Sequence, residues 1–203
     1  MNTKVEYYLP DSVTPRGSYG NCTVLWWKWA LSIPRDYNPV SDRTGTNAAR
    51  NQPGDVWFLA GIWADEDQNK KFPSRKCVVP KNASVLIPVL NCEADDIEYP
   101  DIKTDEDILN HVTNQVDKIV KKECFVNGKS IPPLRIKSNP TIFEVDIHPD
   151  FDKKHRGGHT RASSDGYWVF LKPLSKGKYE IRFEGLYEYG KLKSGAIYNI
   201  LVE

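Results

Sequence analysis

The densest set of metal-ligating side chains in this 203-residue chain is His148, Asp150, Asp152 and His155, with His159 close behind. Imidazole and carboxylate together suit zinc, iron or manganese. Gly157-Gly158 interrupts any helix between His155 and His159, so their spacing puts them on no common face. A polar loop rich in Lys153, Lys154 and Arg156 is the plainer reading. A second set, Glu93, Asp95, Asp96 and Glu98 with Asp101 just beyond, has the carboxylate density that calcium uses, but no EF-hand spacing. Charge runs of this length are ordinarily solvated. A divalent metal, calcium or zinc/manganese, is therefore the cofactor these residues could take, and none is the default.

The six tryptophans offer different chemistry. An indole face is flat and apolar and its N–H serves hydroxyl groups, so it can stack a sugar ring. Trp26 and Trp29 fall at helical spacing, and Trp57 and Trp168 sit inside apolar runs, which marks them as core. Trp27 and Trp63 lie off those faces and are the candidates for a working surface. Asp42-Arg43-Thr44-Gly45 lacks the second copy that an aspartic-protease mechanism needs. Ser163-Ser164-Asp165-Gly166 has no nucleophile elbow around it and reads as a turn before a strand.

The elements that must position these groups are mostly strands. Phe143/Val145/Ile147, Tyr179/Ile181/Phe183 and Tyr198/Ile200/Val202 alternate with polar residues, and Tyr167 to Leu171 is apolar on both faces and so central. Asn127-Gly128 between two apolar runs predicts a type I′ hairpin. Ile108, Leu109, Val112, Val116, Ile119 and Val120 form one stripe behind a Thr104 cap, predicting an amphipathic helix over about 104–122. A short Trp-rich helix is expected over about 23–32, capped by Thr23 and ended by Pro34. Residues 34–54, rich in Pro, Gly, Asn and Asp, predict a long ordered loop. Without βαβ alternation, these elements point to a mainly β fold, a β-sandwich of jelly-roll-like or immunoglobulin-like plan. An irregular arm over 1–22 would precede a single domain over 23–203.

Lys+Arg 28 against Asp+Glu 27 leaves a net charge of +1 with the signs interspersed, which argues against a nucleic-acid partner. No apolar run approaches a membrane span, and the first residues carry no export signal, so a soluble protein is expected. Cys22, Cys77, Cys92 and Cys124 contain no C-x-x-C pair; two bridges are open to them, with buried free thiols the simpler reading.

Trp26-Trp27-Lys28-Trp29, Asn38-Pro39 with Asp42-Arg43-Thr44-Gly45, Gln52 followed by Val56 to Gly61, and Ser164 to Trp168 occur in the order found in an uncharacterised family of bacterial and archaeal proteins, which this chain resembles from residue 26 to about 202. The resemblance implies no activity. Members tend to have a cysteine at the position of Asn47, able to pair with one matching Cys77, and many look exported. Asn47 removes that pairing here, and an extracytoplasmic location is what remains implied.

The loop 34–54, the acidic segment 91–98 and the turn 163–166 adjoin strand ends, and such loops gather at the ends of a sandwich. If they converge, Trp27, Asp42, Asn91, Glu93, Asp165 and His159 line one polar pocket. The reading placed first is a ligand-binding module for a glycan or small polar ligand. The alternatives are a hydrolase or lyase using a carboxylate or a metal on His148, Asp150 and His155, and a structural or surface-assembly protein whose loops only pack. The residues leave open whether the chain is an enzyme and which oligomer it forms.

Overall fold

The computed structural model describes residues 5–63, 69–151, 156–188 and 192–203. Two five-stranded sheets stack as a β-sandwich, accompanied by two helices, as the periodicity predicts. In chain order the elements are α1 (Tyr19–Leu31), β1 (Val56–Phe58), β2 (Ser74–Val79), β3 (Ser84–Asp95), α2 (Asp105–Asp117), β4 (Ile119–Val126), β5 (Lys129–Ser130), β6 (Leu134–Arg135), β7 (Phe143–Ile147), β8 (Gly158–Leu171), β9 (Gly177–Tyr187) and β10 (Lys193–Val202). The first sheet runs β1-β3-β8-β6 with β7 also on β8, and the second runs β2-β10-β9-β4-β5. Both are mixed, because β1 joins β3 and β2 joins β10 in parallel.

Between the sheets, Ile87, Val169 and Leu171 meet Ile181, Phe183, Tyr198 and Ile200. The outer face of the first sheet is covered too: Leu86, Trp168 and Phe170 pack under Trp26 and Trp29 of α1. Burial on both faces is why Trp168 to Leu171 is uninterruptedly apolar. Trp26, Trp29, Trp57 and Trp168 are all buried, as expected of core residues.

Local chemistry decides where the elements begin and end. The first helix starts before the expected Thr23, because the Ser18 side chain accepts from Asn21 N–H. The Thr23 hydroxyl instead donates to the Gly20 carbonyl inside the helix (2.8 Å). In α2 the Thr104–Asp107 capping box forms as predicted. The helix stops at Asp117, short of the expected 122, since Ile119 to Val126 pair with β9; β-branched Ile119 and Val120 satisfy either period, and the sheet partner decides. Asn127 and Gly128 take φ of 49° and 76°, which closes the β4–β5 hairpin.

The expected turn at 163–166 is a correction. These residues lie within β8, a 14-residue strand. Their turn-forming side chains are satisfied across the sheet instead: Ser163 Oγ donates to the Thr141 carbonyl (2.7 Å), and Asp165 receives Arg135 (2.7 Å). All four cysteines are free, and burial raises the Cys77 and Cys124 thiols to about 12.

Candidate ligand cavity

Strand β1 is only three residues long and pairs with Ser84 to Leu86. Among the described residues no strand takes up the edge of β3 beyond that point. A cavity of about 480 Å³ wraps this free edge, lined by residues from α1, from the segments at 61–63, 97–99 and 151, and from the near ends of β9 and β10. Its size is that of a small-molecule site.

A bulge determines which side chains enter it. Pro88 pairs with Trp168 and Leu90 with Tyr167, so Val89 is an extra residue in β3. The shift places Asn91, Glu93 and Asp95 opposite Gly166, Ser164 and Ala162, on the α1 side of the sheet. Strict alternation from Ile87 would have put them on the other face. The lack of a side chain at Gly166 makes room for Asn91: a Cβ there would lie 2.3 Å from Asn91 Cβ and 2.6 Å from its Cα. Gly166→Ala is therefore expected to destabilise by about 1–3 kcal/mol and to distort the β3 wall, seen as a lower urea midpoint.

The aromatic walls are held from behind. Trp26 Nε1 donates to the Leu59 carbonyl (2.7 Å), and its ring meets Trp27 edge to face at 5.0 Å. Trp63 Nε1 donates to Ser41 Oγ (3.0 Å) while its ring meets Phe151 at 5.0 Å. Three residues of the lining carry a buried polar atom with no hydrogen-bond partner among the described residues: Trp27 Nε1, Asn91 Nδ2 and Glu93 Oε1. Buried polar groups are nearly always paired, and an unmade bond leaves a penalty of about 1–3 kcal/mol each.

Electrostatics single out Glu93. Burial, followed by the nearby charges of Asp95 and Glu98, pushes its carboxyl well above the ordinary carboxylate range. Asp95 Oδ1 accepts from the N–H groups of Ile97 (2.6 Å) and Glu98 (2.9 Å), a turn that brings Glu98 back towards Glu93. Glu93, Asp95 and Glu98 each offer an oxygen within 4.8 Å of the others. They are the one such trio of ligands among the described residues.

Of the six side chains expected in a pocket, Trp27, Asn91 and Glu93 line the cavity; Asp42, Asp165 and His159 do not. The loop 34–54 does reach it, but through Arg35 and Val40. Asp42 folds back on its own loop, accepting from Thr44 N–H (2.8 Å) and Asn47 N–H (2.7 Å). Against the upward push of partial burial, these bonds hold its carboxyl below the usual value. Asp165 faces the α2 side and pairs with Arg135, because alternation along β8 sends it opposite to Ser164 and Gly166. His159 is exposed between Asp146 (2.8 Å) and Glu144 (3.1 Å), and its hydrogen bond to Asp146 raises its pKa.

The expected metal set fares differently. His148 Nδ1 accepts from Asp150 N–H (3.0 Å), tying up that nitrogen in a local turn. Asp152 and His155 lie outside the described residues. Asp95 and Glu98 belong to the acidic run noted in the sequence, but they are absent from the expected pocket. The alternation Asn91, Glu93, Asp95 on one strand face is the signal that could have added Asp95.

No protein-family profile and no solved structure matches the chain. It is similar to the human iron–sulfur cluster co-chaperone protein HscB, with 22% identity over 173 residues, which cover 84% of this chain. The matched residues span 62% of that protein's length, and a likeness at this level shows neither a shared family nor a shared activity.

Proposed function

We propose that this protein is a binding module for a small polar ligand with an apolar face, a sugar or similar polyol, held in the cavity at the free edge of β3. The observation that carries the reading is that three residues lining one cavity, Trp27, Asn91 and Glu93, each keep a buried polar atom (Nε1, Nδ2 and Oε1) without a hydrogen-bond partner among the described residues. Two of them donate, so the ligand must offer oxygen acceptors. Glu93, protonated or not, exchanges a hydrogen bond with a hydroxyl. The rings of Trp27 and Trp63 supply flat apolar surface for the carbon face of a pyranose.

Thermal unfolding against a panel of neutral mono- and disaccharides tests this directly. A ligand at about 100 times its Kd stabilises by about 2.7 kcal/mol, which for a chain of this length is roughly 5–10 °C in Tm. At least one sugar is expected to give such a shift and to quench tryptophan fluorescence, with both effects lost in Asn91→Ala. A panel without any shift, in a protein whose wild-type fold is intact, sinks the reading.

A further inference from the structure

We infer that Glu93, Asp95 and Glu98 form a calcium-binding site at the β3 end of the cavity, one that holds whether or not the cavity takes a sugar. Three carboxyl groups whose oxygens all lie within 4.8 Å of one another are close enough to share one ion with bonds of about 2.4 Å. Glu93 is 7% exposed, and its Oε1 has no hydrogen-bond partner among the described residues. A buried carboxylate beside two others needs either a proton or a bound cation to be stable there. A cation satisfies the orphaned oxygen and relieves the repulsion within the trio in one step.

The donor set selects the ion. All three ligands are hard oxygens, and Cys92 alternates to the opposite face of β3 from Glu93 and Asp95, so thiophilic zinc or copper gains nothing here. Magnesium demands near-ideal octahedral geometry at about 2.1 Å and gives up its waters reluctantly, which suits it poorly to three carboxylates carried by one strand and the turn after it. Calcium accepts longer bonds and an irregular shell. Water or ligand hydroxyls lining the cavity complete that shell, which would tie the ion to the neighbouring pocket. With three protein ligands the affinity belongs with the weaker calcium sites, with Kd about 10⁻⁴–10⁻³ M.

The test uses the whole chain, treated with chelator and dialysed, with no sugar present. Millimolar calcium chloride is expected to raise Tm by several degrees, magnesium chloride by much less. Terbium should give luminescence sensitised by the cavity tryptophans and be displaced by calcium. Glu98→Gln alters an exposed side chain and should fold normally, yet weaken calcium binding at least tenfold. Glu144→Gln, on the exposed face of β7, should change nothing. If calcium shifts neither Tm nor the terbium signal, or shifts the Glu98→Gln variant as much as the wild type, the site does not exist.

Discussion

Arg75→Met is expected to destabilise the protein by at least about 4 kcal/mol, a loss reserved for changes that break a buried polar network. Arg75 is 1% exposed and uses all five of its N–H donors. Nε donates to the Asp42 carbonyl (2.6 Å), Nη1 to the Ala60 carbonyl and the Tyr198 hydroxyl (2.9 Å), and Nη2 to the carbonyls of Val40 (3.1 Å) and Gly61 (2.9 Å). Hydrogen bonds from a charged donor contribute about 1.5–3 kcal/mol each, and methionine replaces none of them. The guanidinium pins the loop at 40–42 and the segment at 60–61 to β2, and Val40 and Gly61 line the cavity. The variant should therefore lose the cavity along with its stability. Arg75→Lys keeps the charge but cannot reach five acceptors in a fork, and should recover only a minor part. Tyr198→Phe removes a single partner and should cost about 1 kcal/mol. Urea unfolding of the three variants reads the series, and a methionine variant within about 1 kcal/mol of wild type would contradict it.

Glu93→Gln is expected to make the calcium-free protein more stable at neutral pH and to flatten its response to pH. The folded protein holds the Glu93 carboxyl well above its ordinary 4.5, chiefly through burial. A raised acid contributes stability that is complete below the unfolded value and is lost as pH climbs through the folded one. Stability should thus fall between about pH 4.5 and the raised value, by up to about 1.4 kcal/mol per pH unit, because in that window folding takes up a proton that the unfolded chain has released. Glutamine matches the shape of the protonated acid and has no charge to desolvate. Urea midpoints at about pH 5 and about pH 7, with chelator present, compare the two proteins. Parallel lines for wild type and variant would show that Glu93 does not titrate where its burial requires. Together with the calcium experiment, this assigns the Glu93 environment to binding rather than to holding the fold together.

Most of the fold was legible because its signals are local. The capping box at Thr104, the Asn127-Gly128 hairpin and the alternation in β7, β9 and β10 need no knowledge of the rest of the chain. The failures occur where distant partners overrule local preference. Ser163 to Gly166 has turn chemistry, but Arg135 and the Thr141 carbonyl, each more than 20 residues away, hold it in a strand. Ile119 and Val120 continue the helical stripe of α2 until β9 claims them. In the candidate site the same division holds. Trp27, Asn91 and Glu93 could be named from residue type and position. Asp42 and Asp165 could not be ruled out, since nothing near them in sequence announces the Asn47 amide or the Arg135 guanidinium that absorb their charge. Trp27 was expected at the surface because it lies off the Trp26/Trp29 face, yet α1 buries all but three of its 13 residues, and its narrow solvent stripe, Asn21, Leu25 and Lys28, does not include Trp27.

Val89 imposes a constraint of another kind. Were it to pair in register with Tyr167 instead of bulging, β3 would alternate simply and Asn91, Glu93 and Asp95 would turn round to meet Ile108, Val112 and Val116, the buried stripe of α2. Leu90, Cys92 and Ala94 would turn to the opposite face in their place. Single substitutions along this strand alter one contact at a time, whereas a one-residue slip of register exchanges every contact of its second half at once. The bulge, rather than the type of any one residue, thus decides which side chains of β3 reach the cavity.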